Sequence, residues 1–66
     1  MIVNVNNKKE EIPENSTVMD LLESKNLKNR KVSVWVNGKQ LLIKEYEDYK
    51  LKNNDKIKIL KIVGGG

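Results

Sequence analysis

The sequence predicts an α+β fold: a mixed sheet of four to five strands covered on one face by one main helix. Three observations predict it. Apolar and polar residues alternate over residues 1–6 and 32–36 and again over 56–63, which is strand periodicity. Only the segment around Val18, Leu21 and Leu22 carries apolar residues at helical spacing instead. A chain of 66 residues has room for a single core, so that helix must dock on that sheet.

The first strand puts Met1, Val3 and Val5 on one face. Asn6, Asn7 and Lys8 supply turn chemistry, because Asn tolerates left-handed backbone. Residues 9–12 return as a short strand and stop at Pro13. Thr17 and Asp20 have capping-box spacing, with Asp shorter than the usual Glu or Gln. The helix they open runs for about ten residues, too few to stand alone, and fades near Asn26, with Leu27 packing back on the body. Val32, Val34 and Val36 then alternate with Ser33, Trp35 and Asn37. Asn37-Gly38 is the strongest short hairpin signal, since both residues accept positive φ. Residues 40–43 read as a short returning strand, residues 44–49 as a turn or one short helical turn, and 52–55 as another turn. The last strand, 56–63, has Ile57 and Ile59 on one face and Leu60 and Ile62 on the other. The expected core is Val3, Val5, Val18, Leu21, Leu22, Val34, Val36, Ile57 and Ile59. At roughly 1.5–3 kcal/mol for each fully buried aliphatic side chain, this set can support so small a domain.

Composition removes several function classes. There is no Cys and no His, so disulfides, thiol catalysis and the usual zinc sites are out. Glu45, Glu47 and Asp48 cluster as a solvated acidic turn, and no nucleophile–base pair is visible. The chain is therefore not expected to be an enzyme. No stretch has the length of a membrane span or the pattern of a signal peptide, so a cytoplasmic location is expected. The net charge of +4 comes from lysines spread along the chain, read as a solvated surface that can also attract an acidic partner.

The chain ends in Gly64, Gly65 and Gly66. Glycine has no side chain to pack and loses the most entropy on ordering, so these residues do not help the body fold. Two units follow: a folded domain over 1–63 and a flexible tail over 64–66. Such a tail reaches on the order of 10 Å. It threads a channel too narrow for the body and presents an unhindered α-carboxylate at its tip. That carboxylate becomes an electrophile once a partner adenylates it with ATP, and sulfur attack then yields a nucleophilic thiocarboxylate. A glycine run at a chain end is also what an unstructured tail looks like. Its position directly after a strand favours function, because the strand aims it away from the body.

Thr17-Val18-Met19-Asp20-Leu21-Leu22 opens the helix and Val36-Asn37-Gly38 closes the central strand. Leu51-Lys52-Asn53-Asn54-Asp55-Lys56-Ile57 precedes the last strand, and Ile62-Val63-Gly64-Gly65-Gly66 ends the chain. This ordered set of motifs resembles the ThiS family of sulfur carriers in thiamine-thiazole synthesis, which have a β-grasp, ubiquitin-like fold. Asn54 stands where such turns commonly carry Gly; Asn is the next-best left-handed residue. The resemblance implies that an E1-like adenylyltransferase of ThiF type activates Gly66, that Gly65 and Gly66 form the sulfur-carrying terminus, and that sulfur comes indirectly from a cysteine desulfurase. A ThiG-type thiazole synthase would receive it. This chain itself would bind no cofactor, ATP being used by the activating partner, and neither membrane nor nucleic acid is an expected partner.

The face of the sheet away from the helix must meet water or a partner. Trp35 has opposite parity to Val34 and Val36, and Leu60 and Ile62 match it on the final strand, which in a β-grasp fold lies beside 32–36. The expectation is an apolar docking patch of Trp35, Leu60 and Ile62 at the root of the tail. The alternative is that Trp35 packs on lysine stems or on a loop carrying Tyr46 or Tyr49.

Other functions fit parts of the pattern. A carrier like the small subunit of molybdopterin synthase, or another thiocarboxylate carrier, would use the same tail with a different acceptor. A ubiquitin-like modifier would form amides with lysines. A small basic nucleic-acid-binding module would use the lysines with Trp35, Tyr46 and Tyr49 as stacking platforms, but the aromatics are few and not interleaved with basic residues.

Overall fold

The computed structural model describes residues 1–28 and 31–62. In chain order they form β1 (Ile2–Val5), β2 (Lys8–Glu11), α1 (Val18–Ser24), β3 (Val32–Val36), β4 (Lys39–Gln40), a 3-10 turn (Ile43–Glu45) and β5 (Lys56–Lys61). The strands make one sheet in the order β2-β1-β5-β3-β4. β1 and β5 are parallel, and the other neighbours antiparallel. The last strand in sequence is thus the central strand in space.

Asparagine geometry sets the first hairpin. Val5 pairs with Lys8 across a two-residue turn in which Asn6 and Asn7 have φ of 50° and 70°. The Asn6 carboxamide then acts as an extra peptide unit for β5. Its Oδ1 accepts from the Ile59 N–H at 2.8 Å, and its Nδ2 donates to the Ile59 carbonyl at 3.2 Å.

The expected capping box is present. The Asp20 N–H donates to Thr17 Oγ1 at 3.1 Å, and the Thr17 N–H donates to Asp20 Oδ2 at 2.9 Å, so the shorter acid reaches. The helix is seven residues, shorter than the expected ten. It ends early because Asn26 turns left-handed, with φ 59°. The Leu27 N–H returns to the Leu22 carbonyl at 2.8 Å and the Asn26 N–H to the Glu23 carbonyl at 3.0 Å, a Schellman closure with buried Leu22 and Leu27 as its apolar pair.

Asn37 and Gly38, at φ 52° and 85°, turn β3 into β4 as expected. The returning strand is shorter than the expected 40–43: β4 stops at Gln40. Leu41 turns into the core, and the Glu45 carboxylate caps the Leu42 N–H at 3.2 Å, starting the 3-10 turn. Residues 52–55 close on the Asp55 carboxylate, which accepts from the Lys52 N–H at 2.8 Å and from Asn37 Nδ2 at 3.0 Å. Asn54 takes φ 72° there, the conformation expected of it.

All nine expected core residues are buried, and Ile12, Leu27, Val32, Leu41, Tyr46 and Leu51 join them. Residues 44–49 form the turn and short helical turn expected, but Tyr46 was not among the expected core residues. It is 4% exposed, and its hydroxyl donates to the Val32 carbonyl at 3.4 Å. Burial pushes its phenol pKa up. β5 was expected to reach residue 63; it ends at Lys61, though the Ile62 N–H still donates to the Lys31 carbonyl at 3.0 Å. Val63 and the glycines Gly64, Gly65 and Gly66, with the expected boundary between domain and tail, lie outside the described residues.

Candidate functional site

Pleating sorts the side chains of the two inner strands. On β5, Ile57 and Ile59 face the helix and are buried, while Lys56, Lys58 and Leu60 face away and are exposed. On β3, Val32, Val34 and Val36 face the helix, and Ser33 and Trp35 are half-buried on the other side. The antiparallel register pairs Trp35 with Lys58 and Ser33 with Leu60. One step further, the Lys31–Ile62 backbone bond continues the ladder towards the chain end.

Trp35, Leu60 and Ile62 therefore share the open face, as their parity predicts. Leu60 and Ile62 are 46% and 54% exposed, a substantial apolar surface for so small a domain. Trp35 and Leu60 line one shallow groove of about 800 Å³; Ile62 lies beyond it, nearer the tail. The indole also meets a charged group. Lys58 holds its ammonium 5.7 Å from the ring centroid, a cation–π contact, so Trp35 does meet a lysine. It does not meet the tyrosines: Tyr46 is buried under β3 on the helix side, and Tyr49 packs against the same core.

Sequence reasoning missed Lys56 and Lys58 as members of this face. Both line the groove beside Trp35, together with Asn4, Asn6 and Asn7. The signal was available, since Lys56 and Lys58 share the parity of Leu60; what was lacking was the strand order that brings β1 alongside. Among the described residues no three His, Cys, Asp or Glu side chains gather as metal ligands, and no helix is long and apolar enough to cross a membrane.

A helix laid over one face of a mixed sheet, an open opposite face and a central final strand define a β-grasp protein of the ubiquitin-like kind. The chain belongs to the ThiS family, whose model matches residues 2–66. That match runs through the three terminal glycines. Among solved structures, the chain is similar to the crystal structure of the thiamine biosynthesis protein ThiS from Geobacter metallireducens, at 28% identity and a TM-score of 0.84, with all of both chains covered. It is also similar to the NMR solution structure of a thiamine biosynthesis protein from the same organism, at 28% identity and a TM-score of 0.81, covering all of this chain and 88% of that one. Comparison with curated proteins gives no match.

Proposed function

We propose that the chain is a sulfur carrier for thiazole formation in thiamine biosynthesis, with the α-carboxylate of Gly66 as its working group. The observation that carries this reading is the ThiS family match over residues 2–66, which takes in Gly64, Gly65 and Gly66. The likeness over the whole chain to a solved ThiS structure and to a second thiamine biosynthesis protein structure supports it.

The chemistry follows from a glycine carboxylate. In an E1-like partner of ThiF type, a carboxylate oxygen of Gly66 attacks the α-phosphorus of ATP and pyrophosphate leaves. The acyl-adenylate is then open to sulfur. Sulfide displaces AMP and leaves the thiocarboxylate; a persulfide gives an acyl disulfide, which a further thiol cleaves to the same product. No side chain of this protein acts as acid, base or metal ligand in these steps. The absence of Cβ atoms at Gly65 and Gly66 lets the partner's channel close around the backbone. The charged thiocarboxylate then delivers sulfur to a ThiG-type synthase. The β3–β5 face, with Trp35, Leu60 and Ile62, docks these partners in turn, and β5 sets the distance from that face to Gly66.

ATP–pyrophosphate exchange tests the activation step. With the E1-like enzyme of the same genome, the full chain should support exchange, and a chain lacking Gly66 should lose it while keeping its circular dichroism spectrum. Equal exchange by both chains would remove Gly66 from the reaction. High-mass conjugates in a lysate would instead assign the activated terminus to lysine modification.

A further inference from the structure

The open face is charged as well as apolar, and its charge is mainly positive. Lys56 and Lys58 are the only ionisable side chains lining the β3–β5 groove among the described residues. Lys9, opposite Asn4 on β2, and Lys31, opposite Ile62, extend the same sign to either side. Most of the carboxylates lie elsewhere. Asp20 and Glu23 are on α1. Glu45, Glu47 and Asp48 surround the 3-10 turn, which is bonded to the start of that helix through Met19 N–H and the Tyr46 carbonyl. Glu11 shares the open face but sits on the edge strand β2, two strands from β5.

We propose that this face is recognised by a protein surface that is apolar at its centre and carboxylate-rich at its rim, and that Lys58 leaves the Trp35 ring to meet one of those carboxylates. This rests on the sulfur-carrier reading and adds the chemistry of the partner to it. Two observations set the partner's character. The exposed Leu60 and Ile62 call for an apolar centre, and the flanking lysines call for anions around it. In the free protein the Lys58 ammonium rests 5.7 Å from the indole centroid, covering the ring. A partly desolvated carboxylate attracts an ammonium more strongly than a ring face does. Docking therefore draws Lys58 to the rim and frees Trp35 for the apolar centre. A nucleic acid fits less well. Base stacking needs successive free aromatic faces, whereas Trp35 is the one aromatic lining the groove and Lys58 occupies it. Leu60 and Ile62 would also find no counterpart on a phosphate backbone.

The test measures KM for the carrier in ATP–pyrophosphate exchange, over a range of salt concentrations. Lys56→Gln and Lys58→Gln should each raise KM by roughly threefold to tenfold with kcat unchanged, and should flatten its salt dependence. Lys44→Gln, on the exposed 3-10 turn, should change neither. The double charge reversal Lys56→Glu, Lys58→Glu should raise KM further. If that variant keeps both KM and the salt slope, the proposal is overturned while the sulfur-carrier reading stands. If the unaltered chain supports no exchange, both fall. A parallel titration with an oligothymidylate reads the fluorescence of Trp35, the single Trp of the chain. Saturable, salt-sensitive quenching that Lys58→Gln abolishes would assign the face to nucleic acid and overturn the proposal; unchanged emission supports it.

Discussion

Asparagine carries much of the local design. Asn6, Asn7, Asn15, Asn26, Asn37 and Asn54 all hold positive φ, where most side chains are strained by about 1–2 kcal/mol. Asn26→Ala and Asn54→Ala should therefore each lose about 1 kcal/mol, while Asn54→Gly should stay within about 0.5 kcal/mol of the parent; urea midpoints check the ranking. Asn37 adds a second role. Its Nδ2 donates to Asp55 Oδ1 at 3.0 Å, and its Oδ1 accepts from the Lys56 N–H at 2.9 Å. Asn37→Asp would replace that donor with a second carboxylate against Asp55. A loss of about 2 kcal/mol is expected, larger than for Asn37→Gly. Tyr46 sets a pH dependence. Its burial favours the protonated phenol in the folded state, so its contribution is fully present below the ordinary phenol pKa and is lost as pH rises through the raised folded value. Tyr46→Phe should flatten the fall in stability on the alkaline side, at a neutral-pH cost below about 1 kcal/mol for a long hydrogen bond.

At the scale of elements, short pieces are held by their ends. The seven residues of α1 cannot persist alone. The Thr17–Asp20 box, the Asn26 closure and three buried side chains fix the helix on the sheet. Thr17→Ala should cost about 1 kcal/mol, visible in thermal melts, and Thr17→Ser should recover most of it. These elements were legible because their signals are local: the capping spacing, Asn37-Gly38 and the valine alternation of 32–36 each need only neighbouring residues. The end of β4 was less legible. Leu41 leaves the strand for the core and Glu45 starts a 3-10 turn, a choice set by space beneath β3 rather than by the polar and apolar pattern of 40–43. Tyr46 looked like part of a solvated turn for the same reason. Nothing in Lys44, Glu45 or Glu47 announces a buried ring between them.

For the whole molecule, the decisive arrangement is the placement of β5 between β1 and β3. It puts the strand that leads to the glycines at the centre of the sheet, clamped on both sides and by the Asn6 carboxamide. Parity, with the β-grasp adjacency of the last strand to 32–36 that the resemblance implied, gave Trp35, Leu60 and Ile62 a common face. The groove that Lys56 and Lys58 line with Asn4, Asn6 and Asn7 could not be read that way, because it arises only when distant strands become neighbours. The core that supports this arrangement is small. A domain of this size holds roughly 3–10 kcal/mol in all, and Leu21→Ala, at a site 2% exposed, should remove about 2–5 kcal/mol of it. Extensive unfolding at 37 °C is the expected outcome by circular dichroism.

Intact-mass spectrometry tests the central claim most directly. The protein would be incubated with ATP, its activating enzyme and a sulfur donor, and then weighed whole. The account predicts a gain equal to one oxygen-for-sulfur exchange, localised to Gly66 by fragmentation and absent from a chain that lacks it. An unchanged mass, under conditions where ATP is consumed and pyrophosphate released, would contradict it.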